Sequence, residues 1–268
     1  MPAFNIFGYE DAKACIDAAE ELKAPVILAT NQVALNHMSL PIFASMLTTM
    51  ARESFVPVVI HLDHAHSYEM IAQAIKLGYS SVMFDGSHLP LENNISNTKE
   101  IVKMAHSFGV SVEAELGSVA YRDKFKHVKT VYTDPVQAGI FSEETGVDAL
   151  AVSVGSLHRM ERREAEVQWH LIKEIESQTA IPLVMHGATG IKEYDIERLV
   201  NTNFSKMNFG TVLRMAFGKT LRAQFEENND IYDRMDMFPL AMKAVKREAI
   251  QKMIVMKTKY ATTNIKYR

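Results

Sequence analysis

The stretch PVVIHLDH, at residues 57–64, carries the clearest information about the fold. Its first four residues are apolar and its carboxyl end is polar. A continuous apolar run of this length indicates a strand with both faces buried, as in a parallel sheet covered by helices. The stretch PLVMH, at residues 182–186, repeats the pattern. We therefore expect parallel strands with polar side chains at their carboxyl ends.

Short β-branched runs alternate with longer amphipathic segments along the chain. The runs predict strands at 3–7, 25–29, 57–62, 80–84, 110–115, 149–154, 182–185 and 205–208. The segments between them predict helices at 10–23, 39–54, 67–77, 93–107, 134–145, 164–178, 191–202 and 211–227. A ninth helical segment is expected at about 238–256, before a polar tail at 257–268. This order predicts a single-domain (βα)8 TIM barrel over residues 1–268, with a C-terminal helical extension from about 238 to 268.

An open, doubly wound sheet is the competing architecture for this order of elements. That fold would favour a glycine-rich turn after the first strand, where it binds nucleotides. The turn in this chain, FGYE at residues 7–10, matches that requirement poorly. The pattern therefore favours the barrel.

The composition argues against several classes of function. The chain has 268 residues, 47% of them hydrophobic, which is enough for one large core. Its 29 Lys and Arg residues against 32 Asp and Glu residues predict neither a nucleic-acid surface nor a polybasic membrane patch. We see no signal-peptide pattern and no apolar run long enough for a membrane span. The single cysteine, Cys15, cannot form an intrachain disulfide, which fits a reducing, cytoplasmic location.

Three histidines stand at the carboxyl ends of predicted strands. His64, His158 and His186 follow strands three, six and seven, and in a barrel these ends meet at the mouth that holds the active site. Three neutral imidazoles leave one open position on a tetrahedral Zn²⁺ ion, as in catalytic zinc sites. A single histidine at any of these places would more often be a hydrogen-bonded loop residue. Because side chains alternate along a strand, Asp63 and His64 are expected to point in different directions.

The turns after the last two strands indicate a phosphate site. HGATG, at 186–190, and NFGT, at 208–211, lead into the helices predicted at 191–202 and 211–227. Free N–H groups and the helix dipole at such positions favour a phosphate, and barrels of this type often bind one there. The alternative is ordinary helix capping by Thr189 or Thr211. The long connection at 118–133 is either a lid over this mouth or a solvated loop.

Several motifs together resemble one enzyme family. VVIHLDH, at 58–64, resembles the first signature of the class II fructose- and tagatose-bisphosphate aldolases, and VEAELG, at 112–117, resembles the start of their second. Further matching segments are PAFN at 2–5, DGSH at 85–88, TDP at 133–135, TGVD at 145–148, LVMHGA at 183–188 and KMN at 206–208. The resemblance extends in order from residue 2 to about 256.

This resemblance implies a zinc-dependent aldolase that cleaves a phosphorylated ketose to dihydroxyacetone phosphate and an aldehyde. His64, His158 and His186 would hold Zn²⁺, and Asp63 would be the acid/base group at the hydroxyl where the carbon–carbon bond breaks. Asp85 and Glu115 match positions that bind or orient a second metal. The remaining matches concern the substrate: Gly187, Thr189, Asn208, Gly210 and Thr211 at the dihydroxyacetone phosphate, and Arg247 at the far phosphate. In the family that arginine often comes from the partner subunit, so a homodimer or homotetramer is expected.

The chain departs from the family pattern at three places. Asp123 stands where the family has a mobile catalytic glutamate, and the glycines before it are replaced by Ala120 and Tyr121. Arg159 follows His158 where the family has a glycine beside the phosphate and a monovalent cation, Na⁺ or K⁺; it would either add a phosphate contact or crowd the site. The leading helix of the family is expected to have no counterpart before the first strand.

Two other functions stay open at this point. One is a different metal-dependent sugar-phosphate enzyme, such as an epimerase, which would release no triose phosphate. The other is a catalytically weak relative that only binds a phosphorylated sugar. The altered lid favours this last hypothesis, and the retained Asp63 argues against it.

Overall fold

Eight parallel strands close into a barrel within residues 1–119 and 130–258, the part of the chain that the computed structural model describes. Each strand pairs with the next in chain order, and the last pairs with the first, with Ala3 beside Asn208. This closure confirms the (βα)8 barrel and excludes the open sheet. The strands are β1 (Pro2–Asn5), β2 (Val26–Thr30), β3 (Val58–Ala65), β4 (Ser81–Phe84), β5 (Ser111–Leu116), β6 (Ala149–Val152), β7 (Leu183–Met185) and β8 (Phe204–Phe209).

Helices cover the outside of the barrel, and they alternate with the strands. The helices within the described residues are α1 (Tyr9–Leu22), α2 (Gln32–His37), α3 (Leu40–Glu53), α4 (Tyr68–Lys76), α5 (Leu91–Ser107), α6 (Pro135–Thr145), α7 (Trp169–Gln178), α8 (Glu193–Leu199), α9 (Thr211–Glu227) and α10 (Arg234–Val255). None of the helices in these ranges has the length and apolar character needed to cross a bilayer.

Helices α2, α7, α8 and α10 differ most from the sequence prediction, and α10 begins at Arg234 rather than at about residue 238. The short helix α2 was not predicted; the Asn31 side chain starts it by accepting a hydrogen bond from the Ala34 N–H. Helix α7 begins at Trp169 rather than at residue 164, because the segment before it lies against the backbone at Gly155. A Cβ atom at Gly155 would lie 2.0 Å from the Glu166 carbonyl oxygen. Helix α8 begins at Glu193 and not at Ile191, because a 3₁₀ turn at Ala188–Gly190 comes first.

The barrel interior has an apolar part and a charged part. Met83, Ala151 and Val184 pack together as a small apolar cluster separate from the main core. The larger core lies between strands and helices and includes Phe4 and Phe209. Beneath the carboxyl ends of the strands, the interior holds buried charged side chains instead of apolar ones, and these lead into the site.

Candidate active site

Three imidazoles meet at the carboxyl-terminal mouth of the barrel. His64 comes from the end of β3, and His158 and His186 come from the connections after β6 and β7. Their ring centroids are 4.6 to 5.6 Å apart. Each offers a nitrogen atom, and these atoms all lie within 4.8 Å of one another. Only modest adjustments are therefore needed for one ion to contact all three.

An irregularity in β3 places His64 and Asp63 in the same pocket. The pairing register between β3 and β4 shifts between Leu62 and Ala65, and His64 has a φ of 50°. This left-handed conformation is uncommon for a residue other than glycine. The bulge changes the alternation of the strand, so that both side chains line one cavity. Asp63 is hydrogen-bonded to Asn5 and Asn208, whereas His64 contacts Asp85, so the two side chains have different partners and still line one cavity.

Carboxylates behind the histidines determine which ring nitrogens face the mouth. His64 Nδ1 lies 2.7 Å from Asp85 Oδ2, and His186 Nε2 lies 2.9 Å from Glu113 Oε1. The opposite nitrogens are buried and make no aligned hydrogen bond: His64 Nε2 has no partner, and His186 Nδ1 has only the Glu115 carboxylate 3.3 Å away, out of line for a hydrogen bond. Carboxylates that hold metal-binding histidines in this way are a common feature of metal sites. Buried nitrogens without a hydrogen bond are what a metal ion would satisfy, so these residues fit Zn²⁺.

His158 and Glu115 are the remaining predicted metal ligands, and both lie beside the other two histidines. Burial, followed by the nearby positive charge of His64 and His186, holds the pKa of His158 well below its ordinary value. His158 is therefore neutral and ready to ligate a metal. At His64 and His186 the neighbouring carboxylates outweigh burial and raise the pKa, so that these two imidazoles would each have to release a proton on binding an ion. Glu115 Oε2 lies 3.3 Å from His186 Nδ1 and 3.7 Å from His64 Nδ1. The structure thus brings together all five of the predicted metal ligands, and their role as ligands stays a prediction.

A buried ion pair lies below the histidines. Lys206 Nζ is 2.7 Å from Glu113 Oε2, while the other oxygen of Glu113 faces His186. His61 Nε2 lies 3.7 Å from Glu113 Oε2, and its Nδ1 is within 2.8 Å of Ser81 Oγ. Burial raises the pKa of Glu113, but the Lys206 ammonium and the hydrogen bond to His186 outweigh it and lower the pKa to about 2. Glu113 therefore stays ionised and links the interior to a predicted metal ligand.

Sequence reasoning did not assign roles to these interior residues. His61, Glu113 and Lys206 stand two positions before Asp63, Glu115 and Asn208 on their strands. Residues two apart on a strand face the same side. A charged or imidazole side chain at that spacing, within an otherwise apolar strand, is the signal that could have identified them.

Two amides hold the Asp63 carboxylate at the mouth. Asn5 Nδ2 donates to Asp63 Oδ2 at 2.7 Å, and Asn208 Nδ2 donates to Asp63 Oδ1 at 3.1 Å. Burial raises the pKa of Asp63, but the charges of His64, His186 and Lys206 outweigh it and hold the pKa well below its usual range. Asn208 Oδ1 is buried and makes no hydrogen bond, so it is available to a ligand hydroxyl. Asp63 is therefore an ionised carboxylate held in a fixed position.

The turns after β7 and β8 form one wall of the same cavity. Gly187, Thr189, Gly210 and Thr211 all line it. Helix α9 begins at Thr211 and has no side-chain cap from its own N-cap residue, Gly210. The two turns are joined, because the Val212 N–H donates to Thr189 Oγ1 at 3.3 Å. This arrangement suits an anion at the start of α9.

Gly187 is required by the local backbone. It has a φ of 66°, and a Cβ atom there would lie 2.4 Å from the Leu157 carbonyl oxygen and 3.2 Å from the backbone nitrogen of His158. The turn after β7 therefore packs directly against the connection that carries His158. A side chain at this position would displace one of the predicted zinc ligands.

Arginines add positive charge to the anion wall. Arg159 and Arg214 both line the cavity, and Arg214 Nη2 donates to Thr211 Oγ1 at 3.2 Å. Burial and the nearby charge of Arg159 lower the pKa of Arg214. Arg214, one turn into α9, was missed by sequence reasoning, although its spacing from Thr211 puts it on the same helix face. The cavity is thus electropositive near the turns.

Arg247 and Asp123 are the remaining two predicted site residues. Arg247 is exposed on α10 and does not line the cavity of its own chain. Asp123 lies outside the described residues. The connection that carries it begins and ends at neighbouring points, because Ser118 and Val131 form an antiparallel bridge.

Comparisons with known proteins agree with this geometry. The family model of class II fructose-bisphosphate aldolase matches residues 1–260. The crystal structure of the YdjI aldolase from Escherichia coli K12 is 35% identical, with a TM-score of 0.84, over 98% of this chain and 93% of that chain. The fructose-bisphosphate aldolase (Fba) of Campylobacter jejuni is 22% identical and superimposes with a TM-score of 0.82 over 98% of this chain and 91% of that chain. At that identity it supports the fold alone.

Proposed function

The chain belongs to the class II fructose-bisphosphate aldolase family and is an aldolase, and from this premise we propose that it uses Zn²⁺ to cleave a phosphorylated ketose. The products would be dihydroxyacetone phosphate and an aldehyde. The observation that supports this most is the set of buried, hydrogen-bond-free nitrogens of His64 and His186 beside His158 and Asp63. The family premise also makes the epimerase and the catalytically weak binder unnecessary as explanations.

His64, His158 and His186 would hold the ion, with Asp85 and Glu113 orienting two of them. When bound, Zn²⁺ supplies Lewis-acid stabilisation of the negative charge that develops at the ketone oxygen. The chain would contribute the position and the basicity of the groups around it. Asp85 and Glu115 would also be available to a second metal position, as the family resemblance implies.

Asp63 would take the proton from the substrate hydroxyl on the carbon at which the bond breaks. As that hydroxyl becomes the carbonyl of the departing aldehyde, the electron pair of the carbon–carbon bond stays on the ketone half. Asn5 and Asn208 hold Asp63 in place with both of its oxygens accepting. A positioned base of this kind contributes about 10²–10⁴-fold to the rate. Asp123 is proposed to return a proton to the ketone half.

The phosphate of the ketone half would lie against Gly187, Thr189, Gly210 and Thr211, with Asn208 Oδ1 toward the sugar. Arg159 and Arg214 add charge that matches a dianion. Fixing the phosphate at this wall would align the sugar with Asp63 and the histidines. A monovalent cation beside the phosphate, and an Arg247 donated by a partner subunit in a homodimer or homotetramer, also remain proposals.

The proposal is tested by release of triose phosphate. Purified enzyme loaded with Zn²⁺ is given a panel of phosphorylated ketoses, and dihydroxyacetone phosphate is measured with a coupled dehydrogenase. We expect His186→Ala to lose bound zinc and turnover together. Asp63→Ala should keep zinc and lose about 10²–10⁴-fold in kcat. Turnover that survives complete removal of metal, or an Asp63→Ala enzyme with unchanged kcat, would contradict the mechanism.

A further inference from the structure

Two exposed histidines stand beside the mouth and take no part in the proposed reaction. His66 follows His64 by two residues, and His88 lies just after β4. Their ring centroids are 5.6 Å apart and their planes are nearly perpendicular, at 83°. With the buried carboxylate of Asp85 they form a second group whose ligand atoms all lie within 4.8 Å of one another.

The atoms of this group are arranged to accept a metal ion. His66 Nδ1 lies 3.0 Å from the Asp85 carbonyl oxygen, which leaves Nε2 of that ring as the ligand atom. Asp85 Oδ2 faces His64, and Oδ1 accepts from the backbone and hydroxyl of Ser87. A carboxylate has about four lone-pair positions, so one stays available to an ion. Two imidazoles and a carboxylate are a ligand set that suits Zn²⁺.

The geometry requires a small closure on binding. Zinc ligands at about 2.0–2.1 Å from the ion lie roughly 3.3 Å apart in a tetrahedron. The group must therefore contract by at most about 1.5 Å, since its ligand atoms all lie within 4.8 Å of one another. Asp85 is buried and held in place, but both histidines are exposed, so their rings can rotate toward the carboxylate without disturbing the core.

The group of His66, Asp85 and His88 is connected to the active site through residues that neighbouring groups share. The described residues contain three such groups, and neighbouring groups have one residue in common. The outer group is His66, Asp85 and His88, and the middle group is His64, Asp85 and Glu115. The inner group is His64, His158 and His186. Asp85 joins the first two groups and His64 joins the last two. One surface depression is lined by residues from all three.

We propose that His66, His88 and Asp85 form an outer site for a second divalent metal ion, and that this site lies on the route by which metal enters the enzyme. An ion bound there can be passed to the middle group without leaving Asp85, and then to the inner group without leaving His64. The outer site depends only on its own three residues. The route rests in addition on the proposed function, because it assumes that the inner histidines bind metal.

Metal stoichiometry tests the outer site. Zinc-loaded enzyme is dialysed against increasing Co²⁺, and both metals are measured by mass spectrometry. We expect one cobalt equivalent beyond the tightly bound zinc in the unmodified enzyme. His66→Asn and His88→Asn should weaken its binding at least tenfold; asparagine keeps a polar group near Nδ1 and removes Nε2. His170→Asn, at an exposed histidine of α7, is the matched control and should leave the second equivalent unchanged.

The outer site is overturned if the unmodified enzyme takes up no second equivalent, or if both variants bind it as well as the control does. His186→Ala separates this result from the proposed function. It should lose the inner ion and keep the outer one. Loss of both ions in His186→Ala would show that the outer residues do not bind metal by themselves.

The rate of loading tests the route. Metal-free enzyme is mixed with a zinc–chelator dye complex, and the transfer of zinc to the protein is followed by absorbance. We expect His66→Asn and His88→Asn to load several-fold more slowly than the His170→Asn control, with the same final inner occupancy. Equal loading rates in all three variants would overturn the route.

Discussion

Replacing Glu113 with glutamine provides the sharpest test of the buried interior. Glu113 accepts from two donors at once, His186 Nε2 at 2.9 Å on one oxygen and Lys206 Nζ at 2.7 Å on the other. An amide of the same shape has one oxygen and one NH₂ group. Glu113→Gln must therefore turn a donor toward either the ammonium or the imidazole. In one orientation the lysine is left buried beside another donor, and in the other the orientation of His186 is lost.

The structure allows both costs to be estimated. All three side chains are buried, so water does not replace the lost partner. Removing one partner of a buried charge pair costs about 3–5 kcal/mol. Removing the carboxylate that orients a metal-binding histidine weakens metal binding about 10–100-fold, which corresponds to about 1.4–2.8 kcal/mol. We expect Glu113→Gln to show both losses.

The assay compares Glu113→Gln with Glu144→Gln. Glu144 pairs with Lys99 at 2.7 Å, the same distance as the buried pair, but about half of each side chain is exposed. An exposed pair contributes at most about 1 kcal/mol, and this one lies away from the histidines. Urea unfolding of the metal-free proteins gives the stability loss, and competition with a chelator gives the zinc affinity. Equal stability losses in the two variants, or unaltered zinc affinity in Glu113→Gln, would refute the reasoning.

Three further predictions concern the same site. Gly187→Ala and Gly146→Ala introduce a side chain at the same φ of 66°, but only the first meets another atom, the Leu157 carbonyl oxygen at 2.4 Å. The left-handed backbone should lower the free energy of unfolding of both variants by about 1–2 kcal/mol. Only Gly187→Ala should also bind zinc more weakly, as measured by competition with a chelator. The metal-free protein should lose stability in acid, because the folded-state pKa of Glu113 is about 2 against an ordinary value of 4.5. Glu113 thereby contributes about 3 kcal/mol to the free energy of unfolding. This contribution is fully present above about pH 4.5 and is lost as the pH falls toward 2. Urea unfolding at several pH values should show that the free energy of unfolding depends less steeply on pH in Glu113→Gln than in the unmodified chain. Removing zinc with a chelator should lower the Tm, since a ligand that binds only the folded state stabilises it, and a thermal scan of His186→Ala should show no such chelator effect.

The local pattern of the sequence predicted the strands well, and the reasons are physical. An apolar run bounded by turn residues, such as PVVI or PLVM, has one good way to bury both faces, and that is a central parallel strand. Eight such runs with helices between them leave few topologies, so the closed barrel followed from the sequence and the structure confirms it. The resemblance to the class II aldolases, confirmed by the family match, came from the polar residues at the ends of these runs.

The errors lie where contacts between distant segments decide the backbone. The start of α7 depends on how closely Glu166 approaches Gly155, and the turn at Ala188–Gly190 depends on how Gly187 packs against Leu157. Neither contact can be predicted from the local periodicity of hydrophobic residues. The same holds for the register shift between β3 and β4, which accompanies the left-handed backbone of His64.

By itself, the sequence determined the order of strands and helices, the closed parallel architecture and the set of side chains that could reach the barrel mouth, because burial of apolar runs is a local property of the chain. Only the tertiary structure decided that Lys206 of β8 pairs with Glu113 of β5, that Glu113 thereby holds His186, and that His66 and His88 lie beside Asp85. Distances between side chains on different strands are determined by the register and curvature of the closed sheet. No short stretch of sequence contains that information.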